Sequence, residues 1–191
     1  MEQPQLAEPG AGLPFFESLF VRWYVGPFQS RKADKDQNLR LFRMVCIRIV
    51  KEVEAVPENK RDQRVLVPRM RGIEDSSRFW SVNETLEHLV ITGEAMRGII
   101  ELLAQGKTSD YRVDIANFKP MGKYTGGEGR QAFIIFSALT SEALGPLKIE
   151  DAGPTHLHPW LGPFNALQWT WLLAGHGGLH LAQLQAIKKG L

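Results

Sequence analysis

Four segments of this chain repeat apolar residues every three or four positions, and this repeat constrains the fold more than any other feature. Such a repeat places the apolar side chains on one side of an α-helix, which must then be buried against other helices. Glycine and proline follow the third segment as Gly145-Pro146, where helix-ending residues are expected. The spacing predicts helices over residues 34–55, 81–106, 128–144 and 164–189.

The predicted fold is therefore all-α, a four-helix bundle with a short extra N-terminal helix. We expect residues 1–34 to be a polar, mobile tail followed by a short docking helix over residues 15–28, and residues 35–191 to be the bundle. Alternation with a period of two is confined to residues 64–67, which is too short to build a sheet. The docking helix has apolar residues at helical spacing, which predicts that they pack on the bundle: Phe16, Leu19, Phe20 and Trp23.

Charge and composition exclude some classes of partner. The 23 basic and 21 acidic residues give a net charge of +2, too little to recruit nucleic acid or an anionic membrane by electrostatics alone. No stretch reaches the roughly 20 apolar residues of a membrane span. A single cysteine, Cys46, cannot form an intramolecular disulfide and is expected to be an inert core thiol. No secretory signal is recognisable at residues 1–12, so the expected location is cytoplasmic.

His176 and His180 carry the clearest chemical signal. At about 100° per residue, two positions four apart on a helix lie roughly 40° from each other, so both imidazoles can reach one ion. The pair falls on the apolar side of the fourth helix, where two buried imidazoles need partners for their nitrogens. A divalent metal satisfies both. The alternative is that each histidine simply forms a hydrogen bond with a neighbouring side chain or carbonyl group.

His88 falls on the apolar half of the second predicted helix and supplies the third imidazole that a metal site requires. With it, the pattern favours a mononuclear site for Zn, Ni or Fe on His88, His176 and His180. The chain lacks the glutamate of the zinc-protease His-Glu-x-x-His motif and the Glu-x-x-His pairs of di-iron bundles. Gly177 and Gly178, between the two histidines, serve either close packing or open space beside the metal.

Two stretches resemble the DinB-like superfamily of metal-binding four-helix bundles, to which the thiol-dependent S-transferases of bacteria belong. Trp80-Ser81 followed by Glu87-His88-Leu89 is similar to the start of the family's second helix. The other stretch is similar to the family's loop and metal-binding fourth helix: His158-Pro159-Trp160-Leu161-Gly162, then Trp169, His176, His180 and Gln183. The resemblance covers residues 35–190 and implies the same three ligands. Leu179 and the Gly-Gly pair depart from the family pattern and weaken any transfer of substrate.

The resemblance implies an enzyme that transfers a low-molecular-weight thiol to an electrophilic small molecule. A metal-dependent small-molecule hydrolase and a non-catalytic, stress-related binding module remain alternatives. Glu84 is assigned to helix capping and not to the site, and the sequence indicates no catalytic side chain.

Exposed aromatic residues such as Trp23, Tyr24 and Phe28 would suit a homodimer. Four residues of the loop over 107–127 could line a pocket, although solvated loop is the simpler interpretation: Asp110, Tyr111, Asp114 and Tyr124.

Overall fold

The computed structural model describes residues 4–30, 34–149 and 152–191. A short helix α1 (Phe15–Phe20) continues as a π-helical segment, Val21–Gln29. The four predicted helices follow, and each of their ends lies within two residues of its predicted position. They are α2 (Lys35–Glu54), α3 (Val82–Ala104), α4 (Glu128–Leu144) and α5 (Ala166–Gly190). The prediction of a mostly helical protein is confirmed.

The long helices pack against each other through their apolar sides. Helix α5 packs on α2 and α3, and α4 packs on α3 and α2. Each helix contributes large apolar side chains to one continuous core, such as Phe42, Leu86, Phe136 and Leu184. Helices α3 and α5 are thus neighbours, which brings a histidine of the first beside the two histidines of the second.

Side-chain caps fix where these helices begin. The Ser81 hydroxyl accepts from the Glu84 amide and the Glu84 carboxylate accepts from the Ser81 amide, which is the predicted capping box of α3. Asn165 and Gln168 form a second capping box at the start of α5. Helix α5 begins two residues later than predicted because residues 162–165 form a strand.

Two small antiparallel strand pairs connect the helices. Strand β1 (Val65–Leu66) pairs with β2 (Phe79–Trp80), and β3 (Thr155–His158) pairs with β4 (Gly162–Asn165). The second pair is a hairpin that the sequence did not predict. Each strand has only four residues. The buried positions, His156 in β3 and Gly162 and Phe164 in β4, are too few to reveal a period of two.

The aromatic residues near the N-terminus do not pack in the core, and the prediction that they would is wrong. Phe16 is 83% exposed and Trp23 is 69% exposed. The segment docks instead through Val21 and Val25, which are partly buried against the core. The carboxylate of Glu17 anchors α1 by pairing with Arg69. The side chain of Phe28 lies outside the described part of the chain.

The residues before α1, which the sequence predicts to be a mobile tail, form hydrogen bonds with the loop between β1 and β2. The amides of Gly12 and Gly10 donate to Glu74 over 2.8 and 3.4 Å, and the amide of Ala7 donates to Asp75 over 3.0 Å. Within the described ranges, no helix has the length and apolar character needed to cross a membrane.

Candidate metal centre

Three histidines from two helices lie close together at the interface between α3 and α5. His88 comes from α3, and His176 and His180 lie one turn apart on α5. One ring nitrogen of each histidine lies within 4.8 Å of a ring nitrogen of the other two, and the Nε2 atoms of His88 and His176 are 3.2 Å apart. The structure thus brings together the three side chains predicted from sequence.

The tautomer of His88 is fixed by a loop. Its Nδ1 lies 2.7 Å from the carbonyl oxygen of Phe118, and a carbonyl oxygen can only accept a hydrogen bond. Nδ1 therefore carries the proton of the neutral ring. The Nε2 atom, which lies 3.2 Å from Nε2 of His176, is therefore unprotonated and can only accept a hydrogen bond or bind a metal.

The tautomer of His180 is fixed through Gln183. The side-chain Nε2 of Gln183 donates to the carbonyl oxygen of Ser77 over 2.7 Å, so its Oε1 is the atom that lies 2.8 Å from Nδ1 of His180. That oxygen accepts the Nδ1 proton, which leaves Nε2 of His180 bare as well. Metal-binding histidines characteristically donate their other N–H to a carbonyl or carboxylate in this way.

The donor set fits one divalent ion. His88 and His180 each offer a bare Nε2, and His176 can offer at most one N–H, which cannot satisfy both lone pairs. Zinc–nitrogen bonds of about 2.0–2.1 Å in tetrahedral geometry place ligand nitrogens about 3.3 Å apart, close to the separation between His88 and His176. One cation would therefore bind all three nitrogens. Hydrogen bonds among the rings would leave one of them without a partner.

Burial keeps the cluster neutral. Desolvation holds the pKa of His88 and of His176 well below the ordinary value, and the neighbouring His180 adds to this effect. Desolvation also lowers the pKa of His180 to about 4. Neutral imidazole is the form that binds metal, so near pH 7 the three rings are already in the state that a metal requires.

Glu87 positions the loop that bears the Phe118 carbonyl. Its carboxylate is 1% exposed and accepts backbone N–H bonds of 2.9–3.0 Å from Met121, Gly122 and Lys123. These bonds tie the loop to α3 beside His88. Glu87 thus supports His88 indirectly, by holding the loop whose carbonyl accepts the Nδ1 proton.

A cavity of about 120 Å³ opens beside the three imidazoles. It lies between α3, α5, the loop over residues 113–119 and the β3–β4 hairpin. Trp80 packs against the cluster, with its ring 5.0 Å from that of His88. Most of the cavity wall is apolar and includes Ile73, Met96, Ile99, Phe118, Trp160 and Leu172.

The charged groups of the wall are paired with each other. The ammonium of Lys119 donates to Glu74 over 2.6 Å and to the hydroxyls of Ser76 and Ser77 over 3.0 and 2.8 Å. Burial alone raises the pKa of Glu74, but Lys119 and the amide of Gly12 together hold it below the ordinary value. The carboxylate of Glu74 is therefore ionised and paired with Lys119.

His158, the last residue of β3, also lines this cavity. Its Nδ1 accepts the amides of Trp160 and Leu161, each over 3.2 Å. Burial, with a smaller effect of His156, lowers its pKa to about 4. His156 is buried beside Trp169 and does not line the cavity.

Other residues singled out in the sequence lie around the cluster or outside the cavity. Glu84 caps α3 as predicted and also binds Arg64, whose Nε lies 2.9 Å from its carboxylate. Gly177 serves close packing, because a Cβ there would lie 3.0 Å from Val45, whereas Gly178 faces open space. Four polar loop residues do not line the cavity, whose wall is formed instead by their apolar neighbours: Asp110, Tyr111, Asp114 and Tyr124.

Sequence reasoning missed the groups that surround the histidines. Glu74, Lys119 and the Phe118 carbonyl are distant from them in sequence, and no local motif marks them. Gln183 follows His180 by three residues, which is the spacing of neighbours on a helix, so the sequence carried a signal for that contact.

No family model, curated protein or solved structure matches the chain. The resemblance to the DinB-like superfamily therefore rests on the residues quoted for it and stays a prediction.

Proposed function

We propose that this protein is a metal-dependent enzyme of the DinB-like type, a four-helix bundle in which His88, His176 and His180 bind one divalent ion. The observation that carries the proposal is the fixed tautomer of two of the three rings. His88 and His180 each donate their Nδ1–H to an oxygen and turn a bare Nε2 toward the cluster. In a core without metal, the single N–H of His176 could pair with only one of these two lone pairs, and leaving the other buried without a partner would cost free energy.

The open side of the cluster supports catalysis over a purely structural metal. Three protein ligands leave at least one coordination position of the ion open, and here that side faces the cavity. When bound, such a metal lowers the pKa of a coordinated thiol or water and acts as a Lewis acid. The apolar wall would exclude water from a small organic molecule and hold it beside the cluster.

The surroundings support thiol transfer in preference to hydrolysis. Activation of water at such sites commonly uses a free carboxylate as general base. Among the described residues that line the cavity, the only carboxylate is Glu74, and Lys119 already engages it. A thiol is acidic enough to react without such a base. The proposed reaction forms a carbon–sulfur bond between a low-molecular-weight thiol and an electrophilic carbon, whose leaving group departs with its electron pair while the thiol proton passes to solvent.

Metal content tests the proposal. We expect plasma mass spectrometry of tag-free protein to find about one Zn, Ni or Fe per chain, and His176→Ala and His180→Ala to lose the ion. His156→Gln is the matched control, because His156 is a buried histidine outside the cluster. Circular dichroism of each variant shows whether its helices persist. A folded wild-type protein that takes up no ion after loading with Zn²⁺ or Ni²⁺ would disprove the metal site.

Thiol transfer is then tested on the loaded protein by following the consumption of glutathione or cysteine with a fluorogenic electrophilic halide. We expect a rate above that of the chelated protein and of His180→Ala. An ion that is bound without any such rate would leave a metal-containing binding module.

A further inference from the structure

The electrostatics of the cavity define what it can hold. The oxygens that accept the Nδ1 protons of His88 and His180 belong to a backbone carbonyl and a side-chain amide, both of which are neutral. The carboxylate of Glu74 is neutralised by Lys119, and that of Glu87 is bound by three backbone amides. Glu87 keeps its negative charge but does not line the cavity, so among the described residues of the cavity wall no carboxylate lacks a cation of its own and could offset the charge of a divalent ion held by three neutral imidazoles.

An uncompensated cation in an apolar cavity favours a negatively charged ligand, because the Coulomb attraction is weakly screened there. Much of the remaining wall is apolar, since Ile73, Met96 and Ile99 carry no hydrogen-bonding side-chain groups. Its other polar groups are two hydroxyls and two indole N–H groups, those of Ser77, Thr92, Trp160 and Trp169. The ligand that suits both features has a charged head beside the histidines and an apolar body along the wall.

His158 supplies a hydrogen-bond donor for such a head. Because its Nδ1 accepts two backbone amides, the single proton of the neutral ring lies on Nε2. The ring is held between aromatic neighbours, with centroids 5.6 Å from Trp169 and 6.4 Å from Phe164. This tautomer cannot bind a metal through Nε2, so His158 acts as a donor to a ligand and not as a fourth metal ligand.

We infer that the cavity binds an apolar organic anion, and that the Nε2–H of His158 donates a hydrogen bond to its charged head. The inference rests on the proposed function, because the ion supplies the positive charge. His158 is thereby a specificity-determining residue. It selects an anion over a neutral molecule of the same shape.

Isothermal titration calorimetry of the Zn²⁺-loaded protein tests the ligand class with hexanoate, hexanol and hexylamine. We expect hexanoate to bind at least about tenfold more tightly than either of the other two. Butyrate, which is two methylene groups shorter, is expected to bind about tenfold more weakly than hexanoate, because it covers less of the apolar wall.

Two substitutions separate the donor from the structural role of His158. In His158→Asn the side-chain oxygen can still accept the amides of Trp160 and Leu161, but no donor reaches the position of Nε2. In His158→Gln the side-chain nitrogen approximates that position, and the acceptor for the amides is lost. We expect the asparagine variant to bind hexanoate about tenfold more weakly with hexanol unchanged, and the glutamine variant to stay within about threefold of wild type.

The metal content of each sample is measured first. Protein without metal would overturn both the proposed function and this inference. Metal-loaded protein that binds hexanoate no better than hexanol would overturn the inference alone. An asparagine variant that keeps full hexanoate affinity, or that loses hexanoate and hexanol equally, would overturn the role of His158 as a donor.

Discussion

The two sides of the α3–α5 helix pair differ in packing although the same two helices form both. On the side that faces α2 and α4, a gap of only about 10 Å³ is enclosed by side chains such as Phe42, Cys46 and Phe136. On the other side lies the cavity of about 120 Å³. We call these the packed side and the cavity side. His176 touches both gaps and marks the boundary between them.

The difference shows how one helix pair can carry both stability and chemistry. Close packing on one side holds the backbones of α3 and α5 in place, so the three imidazoles keep their positions without filling the cavity. Reactive groups follow the same division. Burial raises the pKa of Cys46, on the packed side, to about 12, which agrees with the predicted inert thiol. Four histidine rings lie on the cavity side or at its boundary: His88, His158, His176 and His180.

Acid is expected to destabilise the protein through the histidines of the cavity side. In chelated protein, the pKa of His158 and of His180 is about 4, below the ordinary value of about 6.5 in the unfolded chain. The unfolded state therefore binds more protons between these two values, and stability is lost as the pH falls from about 6.5 toward 4. At pH 5 each ring should cost about 2 kcal/mol of the free energy of unfolding.

Urea unfolding followed by circular dichroism, at about pH 7.5 and pH 5 with chelator present, measures this loss. His158→Asn is expected to lose about 2 kcal/mol less than wild type over the same interval. Equal stability of the wild-type protein at the two pH values would contradict the assignment of buried neutral rings.

A substitution on the packed side is expected to lower the free energy of unfolding by less than acid does in total, and to do so at any pH. Gly93 of α3 lies against Phe136, and a Cβ there would overlap the ring. That ring is 3% exposed and packs edge-on against Phe42, so it has little room to move. We expect Gly93→Ala to lower the free energy of unfolding by about 2 kcal/mol, because overpacking outweighs the better helix propensity of alanine.

Gly98 provides the matched control on the same helix, because no atom lies within 4 Å of an added Cβ. Gly98→Ala is expected to raise the free energy of unfolding by about 1 kcal/mol, as measured by the same urea titration. Similar effects at the two glycines would show that the packed side tolerates more volume than its geometry suggests.

The last substitution concerns Gln183, which joins His180 to Ser77 on the cavity side. Gln183→Leu removes the acceptor for His180 Nδ1–H and frees this ring to adopt the other tautomer. We expect the affinity for Zn²⁺ to fall by about 10–100-fold in a chelator competition assay, with the three ligands intact. Gln185→Leu is the control, since Gln185 lies on the exposed side of α5 and bonds to Glu52, away from the histidines. Unchanged zinc affinity in Gln183→Leu would mean that the tautomer is set by other contacts.

Local sequence patterns predicted most of the helical fold and the three clustered histidines. Periodicity placed the ends of the four long helices to within two residues, and the capping box of Ser81 and Glu84 was readable directly. The four-residue spacing of His176 and His180 required that both lie on one side of α5. These features depend on residues that are neighbours along the chain, which is why the sequence by itself determined them.

Tertiary packing decided what surrounds the histidines and how the N-terminal segment docks. The bonds from His88 to Phe118 and from Gln183 to Ser77 join residues 30 and 106 positions apart, and no local pattern encodes such distances. The exposure of Phe16 and Trp23 likewise depends on whether another surface is available to cover them, because helical spacing alone aligns apolar residues without providing a partner. The sequence therefore determined which imidazoles could meet, and the folded chain decided which of their nitrogens are free to bind a metal.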